Sequence, residues 1–97
     1  MQKETKFSQK ISSRLATQKP WIWYFKTQML ALLGIPDYII CANGKFIAWE
    51  LKVGHNKATT LQRFILDKIE AAGGIARVVT PENYEECYQE VLQCLEN

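Results

Sequence analysis

Between Lys3 and Thr17 the apolar residues Phe7, Ile11 and Leu15 recur at every fourth position among polar neighbours. That spacing predicts an amphipathic helix with one apolar stripe. Pro20, which lacks an N–H donor, ends any helical continuation. The run WIWYFK (21–26) is aromatic and β-branched and reads as a strand, whereas TQMLALL (27–33) fits a strand or a short helix equally well. DYIICA (37–42) and KFIAWELK (45–52) flank Asn43-Gly44, two residues that both tolerate positive φ, which predicts a β-hairpin. After the loop VGHNKA, the stretch TTLQRFILDKIEAAGG predicts a second helix with Leu61, Phe64, Ile65, Ile69 and Ala72 on one face, ended by Gly73-Gly74. IARVV (75–79) reads as a short buried strand. Thr80-Pro81 then opens a last helix, with proline at its first position, running to about Leu95.

The resulting order is α, β, β, β, α, β, α, without repeats or linkers. The unit from Lys45 through the second helix to 75–79 has the length of a βαβ crossover, so the hairpin belongs to a mixed sheet covered by helices.

Composition narrows the class. The chain's 97 residues make one domain (1–97), and 47% hydrophobic with 23% charged residues is the balance of a folded globular protein. A core this small gains from subunit association, so a homodimer is expected. No apolar run reaches the roughly 18 residues of a membrane span, and MQKETKFSQK is too polar for a signal peptide. A soluble, cytoplasmic protein without membrane contact is therefore expected. Cys41, Cys87 and Cys94 are odd in number and lack CxxC spacing, so they read as residues in or near the core. The net charge of +2 hides an asymmetry: residues 1–63 carry ten Lys or Arg against three acids, and residues 64–97 two against seven. One part of the molecule suits a polyanion.

The hairpin carries the candidate chemistry. With Asn43 and Gly44 as the loop, Ala42 faces Lys45, Ile40 faces Ile47 and Asp37 faces Glu50. Two facing carboxylates lie about 4.5–5.5 Å apart at Cβ and repel, and Lys52 projects on the same face beside them. Two arrangements relieve the repulsion. One is a structural salt bridge from Lys52 to Asp37 or Glu50. The other is a bound divalent cation, for which Mg2+ suits one or two carboxylates plus water and phosphate oxygens. Glu4 reads as an acid placed favourably in a helix's first turn. Thr59-x-x-Gln62 has the form of a capping box.

Pro36-Asp37 followed by Glu50-Leu51-Lys52 is the pattern of the PD-(D/E)xK nucleases. The longer run GIPDYII, GKFIAWELK, a basic loop with Lys57, TTLQ and AAGGIARVV resembles the minimal, phage-type virus-type replication-repair nuclease domain, VRR-NUC, over essentially the whole chain. The resemblance implies a restriction-endonuclease-like fold, a mixed β-sheet flanked by helices in the order αβββαβα. It also implies a Mg2+- or Mn2+-dependent structure-specific DNA endonuclease, a Holliday junction resolvase acting as a homodimer on four-way junctions. Asp37 and Glu50 match the metal carboxylates, the Leu51 carbonyl the backbone ligand, Lys52 the catalytic lysine, and Glu4 and Gln62 the additional active-site acid and glutamine. TQMLALL lacks the small polar residue that often precedes the family's Gly-x-Pro-Asp.

Lys45, His55, Lys57 and Arg63 near the hairpin loops, with Lys3, Lys6, Lys10 and Arg14 on the first helix, would then follow phosphate backbones. A nuclease for flaps, ends or nicks is the alternative within the same chemistry. A catalytically silent DNA-binding module is the alternative outside it.

Overall fold

A computed structural model describes residues 3–27 and 33–96. Its element order is the one expected from the sequence: α1 (Lys3–Ala16), β1 (Ile22–Lys26), β2 (Tyr38–Ala42), β3 (Lys45–Leu51), α2 (Thr60–Ala71), β4 (Ile75–Val79) and α3 (Tyr84–Cys94). The undecided segment at 27–33 falls mostly outside the described residues. Strands line up as β1-β2-β3-β4, with the first two pairs antiparallel and β3 parallel to β4. The chain is thus an α/β protein with a four-stranded mixed sheet and three helices.

The Asn-Gly turn forms with Asn43 at φ 53° and Gly44 at φ 81°. Both residues accept the left-handed region at little cost. This turn fixes the register as expected, with Ala42 opposite Lys45, Ile40 opposite Ile47 and Tyr38 opposite Trp49.

One sheet face carries the core. Ile22, Tyr38, Ile40, Ile47, Trp49, Leu51 and Val79 pack there against Phe7, Ile11 and Leu15 of α1 and Tyr84, Cys87, Tyr88 and Val91 of α3. The apolar stripe read in α1 is therefore its buried side. Tyr38 is fully buried, and its hydroxyl meets the hydroxyls of Ser8 and Ser12 and the Ser8 carbonyl, which ties the start of β2 to α1.

The opposite face departs from expectation. Helix α2 covers only the β3–β4 half, and among its described side chains Leu66 is the one that is buried. On the helical face read from the sequence, Leu61 and Phe64 are about half exposed, Ala72 is exposed, and Ile65 and Ile69 are half-buried. Periodicity identified the helix, but its apolar stripe is wider than the surface available beneath it. Cys41, likewise expected near the core, is exposed because its strand neighbours on that face, Trp23 and Phe46, are themselves uncovered. Cys87 is buried and Cys94 half-buried, in line with the sequence reading. The last helix begins at Tyr84 rather than Pro81. Thr80 and Asn83 close a turn with reciprocal hydrogen bonds (2.8 and 3.2 Å), and this turn takes up the residues read as the helix start.

Candidate active site

The candidate residues gather where β2 begins and β3 ends. Asp37 lies one residue before β2, where Glu50 would face it if the ladder continued past Tyr38 and Trp49. Three backbone attachments hold this corner. The Leu51 N–H donates to Asp37 Oδ2 at 2.7 Å, the Thr27 N–H donates to the Asp37 carbonyl at 2.9 Å, and the Lys52 N–H donates to the Val79 carbonyl at 3.0 Å. Thr27, buried beyond the end of β1, also donates its hydroxyl to the Pro36 carbonyl at 2.7 Å. All four strand ends therefore contribute to placing one aspartate and one lysine.

Gly34 has a specific task in the approach to Asp37. Its φ is +75°, and a Cβ added there would stand 2.6 Å from Leu61 Cγ and 3.2 Å from the Leu61 carbonyl oxygen. Only glycine allows the first turn of α2 to come so close to the Pro36-Asp37 segment.

Glu50 is buried on β3, on the face opposite Trp49 and Leu51. Its Oε2 lies 3.3 Å from Lys52 Nζ, while Oε1 is buried with no hydrogen-bond partner among the described residues. Burial, followed by the neighbouring Asp37 charge, pushes the carboxyl up to about 7, and Lys52 offsets only part of this. The salt bridge anticipated from the sequence is therefore present, yet it leaves one carboxylate oxygen unsatisfied. A buried acceptor without a donor is costly, and an oxygen-seeking cation is a natural way to satisfy it. Asp37 and Glu50, with the Leu51 carbonyl beside them, thus fit Mg2+ or Mn2+, hard ions that bind through few protein oxygens. No three His, Cys, Asp or Glu side chains among the described residues converge as a metal cluster.

Glu4, exposed in the first turn of α1, lines an open pocket of about 180 Å³ with Thr5, Ser8, Lys26, Asp37 and Leu51. It therefore stands near Asp37 as its assignment requires. Gln62 does not join the group. Its Oε1 accepts from the Thr59 N–H at 2.8 Å, and its own N–H donates to Thr59 Oγ1 at 3.1 Å, completing the capping box of α2. The capping-box reading of Gln62 is therefore present in the structure, with its side-chain carbonyl engaged by the Thr59 N–H.

The basic residues divide. Lys57 and His55 are exposed in the loop just beyond Lys52, and Arg63 is exposed near the start of α2. Lys45 sits at the hairpin turn, five residues along β3 from Glu50 and so roughly 17 Å away, and its Nζ donates to the Gly73 carbonyl at 2.7 Å. In the free protein Lys45 thus links the hairpin to the end of α2. Arg14 is engaged as well: it pairs with both Glu85 oxygens (2.7 and 3.0 Å) and stacks over Tyr88 at 3.7 Å. Lys6 and Lys10 remain exposed on α1, and the Lys3 side chain lies outside the described ones.

Lys26 and Thr27 escaped sequence reading. The signal lay in the β1–β2 register, which pairs Lys26 with Tyr38 and so brings the end of β1 beside Asp37. No turn dipeptide announces that register. Among the described residues no helix is long and apolar enough to cross a membrane. Set against protein-family models, curated proteins and solved structures, the chain matches none of them.

Proposed function

We propose that the chain is a metal-dependent, structure-specific DNA endonuclease of restriction-endonuclease-like fold, acting on branched DNA such as a four-way junction. One observation carries the reading. Glu50 beside Asp37 is a buried, electrostatically costly carboxylate with an unsatisfied oxygen and a lysine at 3.3 Å, an arrangement unfavourable in a core and useful at a phosphodiester. The resemblance of the sequence motifs to VRR-NUC nucleases supports the same conclusion.

In this reading Asp37, Glu50 and the Leu51 carbonyl hold Mg2+ or Mn2+. When bound, such an ion lowers the pKa of water and neutralises phosphate charge. Lys52 directs its ammonium toward the reacting centre, where it orients the nucleophile or stabilises the charge that builds on phosphoryl oxygens. The Leu51 N–H keeps Asp37 from rotating, so one carboxylate oxygen faces the site throughout. Lys57 and Arg63, both exposed, would meet phosphates outside the centre. The products are a 5′-phosphate and a 3′-hydroxyl.

A homodimer is part of this proposal. What supports it is the sheet face that α2 leaves open, where Trp23 (61% exposed) stacks on Phe25 (51%) at 6.3 Å and Phe46 is 46% exposed. With about 150–250 Å² per aromatic residue, these three alone present on the order of 300 Å², against the roughly 800 Å² per partner of a stable interface. A second copy related by a two-fold axis would cover the patch and present two sites to two symmetric strands. Sedimentation of wild type at micromolar concentration is expected to give a dimer, and the Trp23→Ser/Phe25→Ser double variant a monomer. A wild-type monomer bound to a junction counts against paired incision.

The function itself is tested by incubating the protein with four-way junction, flap, nicked, single-stranded and linear duplex DNA in Mg2+, Mn2+ or EDTA. Symmetric nicking of the junction, abolished by EDTA, is the expected result. Preference for flaps or nicks would reassign the substrate, and binding without cleavage would make the chain a silent DNA-binding module.

A further inference from the structure

Lys26 occupies the same pocket as Glu4, Asp37 and Leu51, on the α1 side of the sheet. Its position is fixed from both sides of the strand end. Residues Ile22 to Lys26 are paired in register with β2, and the next residue, Thr27, is fastened to the carbonyls of Pro36 and Asp37. Lys52 pairs with Glu50, Arg14 with Glu85, Arg77 with Glu70 and Glu90, and Lys45 with a backbone carbonyl, but Lys26 has no ion pair among the described residues. A strand-borne cation with no ion pair among the described residues, half-buried at the mouth of an acidic site, suits an anion that arrives from outside.

We propose that Lys26 binds a backbone phosphate of the DNA strand held at Asp37, making it a substrate-binding residue on the side of the site opposite Glu50 and Lys52. This rests on the nuclease reading above. Glu50 alternates with Trp49 and Leu51 and so lies on the α2 side of the sheet, whereas Lys26 alternates with Phe25 and shares the α1 side with Ile22. The strand would therefore cross the sheet end with one cation on either side of Asp37. The contact with phosphate would be made when DNA enters.

The test is equilibrium binding of a fluorescent four-way junction in Ca2+ across about 50–200 mM salt for wild type, Lys26→Ala and Lys26→Arg, with cleavage in Mg2+ followed in parallel. Lys26→Ala is expected to bind about tenfold more weakly at the middle of that range, uniformly across DNA sequences. The slope of log affinity against log salt should shrink by about 0.9, the signature of one lost phosphate contact on duplex DNA. Lys26→Arg should restore the slope. A structural role for Lys26 would instead lower the melting temperature and leave the slope untouched. An unchanged slope in Lys26→Ala, alongside wild type that binds and cuts, overturns the Lys26 assignment alone. Wild type that neither binds nor cuts DNA overturns the nuclease reading and this inference with it.

Discussion

Asp37→Asn and Lys52→Ala are each expected to lower DNA cleavage by about a hundred- to a thousandfold or more, the usual loss when a preorganised charge at the reacting centre is removed. The structure makes both substitutions informative because neither should unfold the chain. Asparagine keeps a side-chain oxygen to accept the Leu51 N–H, which now comes at 2.7 Å to Asp37 Oδ2, so the corner retains its tether while losing its charge. Lys52 lies just past β3, and its backbone bond to Val79 survives truncation to alanine. Glu50, deprived of the ammonium at 3.3 Å, would hold its proton more firmly instead of remaining as a bare buried charge. Single-turnover cleavage with excess protein, together with circular dichroism of each variant, checks the expectation. Either variant cutting at the wild-type rate would remove Asp37 or Lys52 from the site.

Glu50 gives the second large effect, one that needs no DNA. Its folded-state pKa stands near 7, above the ordinary 4.5 of the unfolded chain, because burial and Asp37 disfavour the anion. Between those two values the folded protein binds more protons than the unfolded one, so stability falls as pH rises. The contribution is fully present below about 4.5 and lost once pH has passed through about 7. In the metal-free protein we expect melting to drop from pH 5 to pH 8 by roughly 5–10 °C, the shift produced by about 1–2 kcal/mol in a domain of this size. Glu50→Gln, similar in shape and never charged, should remove that slope and be the more stable protein at pH 8. Adding Mn2+ at pH 8 should raise the melting temperature of wild type but not of Glu50→Gln, since a ligand that binds only the folded state stabilises it. Scanning calorimetry in EDTA and in Mn2+ reads all three. A variant that melts below wild type at pH 8 without metal would mean the carboxylate is well satisfied, and the case for a cation there would fail.

Much of this arrangement was legible where local chemistry dictates geometry. Asn43-Gly44 has few alternatives as a two-residue hairpin loop, so counting outward from it gave the register that runs from Ala42–Lys45 to Tyr38–Trp49 and ends beside Asp37 and Glu50. The capping box of Thr59 and Gln62 was equally local, and it forms as the spacing predicts. What could not be read depended on tertiary fit. The stripe of α2 names its apolar residues, but not that half of the sheet face would be left open, so periodicity alone does not tell that Leu61 and Phe64 stay half exposed. Pro81 is compatible with a helix start, and only the Thr80–Asn83 hydrogen bonds decide that it belongs to a turn. Lys26 and Thr27 were hidden because the join between β1 and β2 carries no dipeptide from which a register can be counted.

The tethering of Thr27, Asp37, Leu51 and Lys52 joins the ends of all four strands into one short hydrogen-bonded seam. Strand ends fray more readily than strand centres. Loosening any one of them moves a charge relative to its neighbours while the core around Trp49 and Ile11 stays intact. On the nuclease reading, heating is therefore expected to lower cleavage before it melts the fold, so that the seam, and not the core, would set the upper temperature of activity.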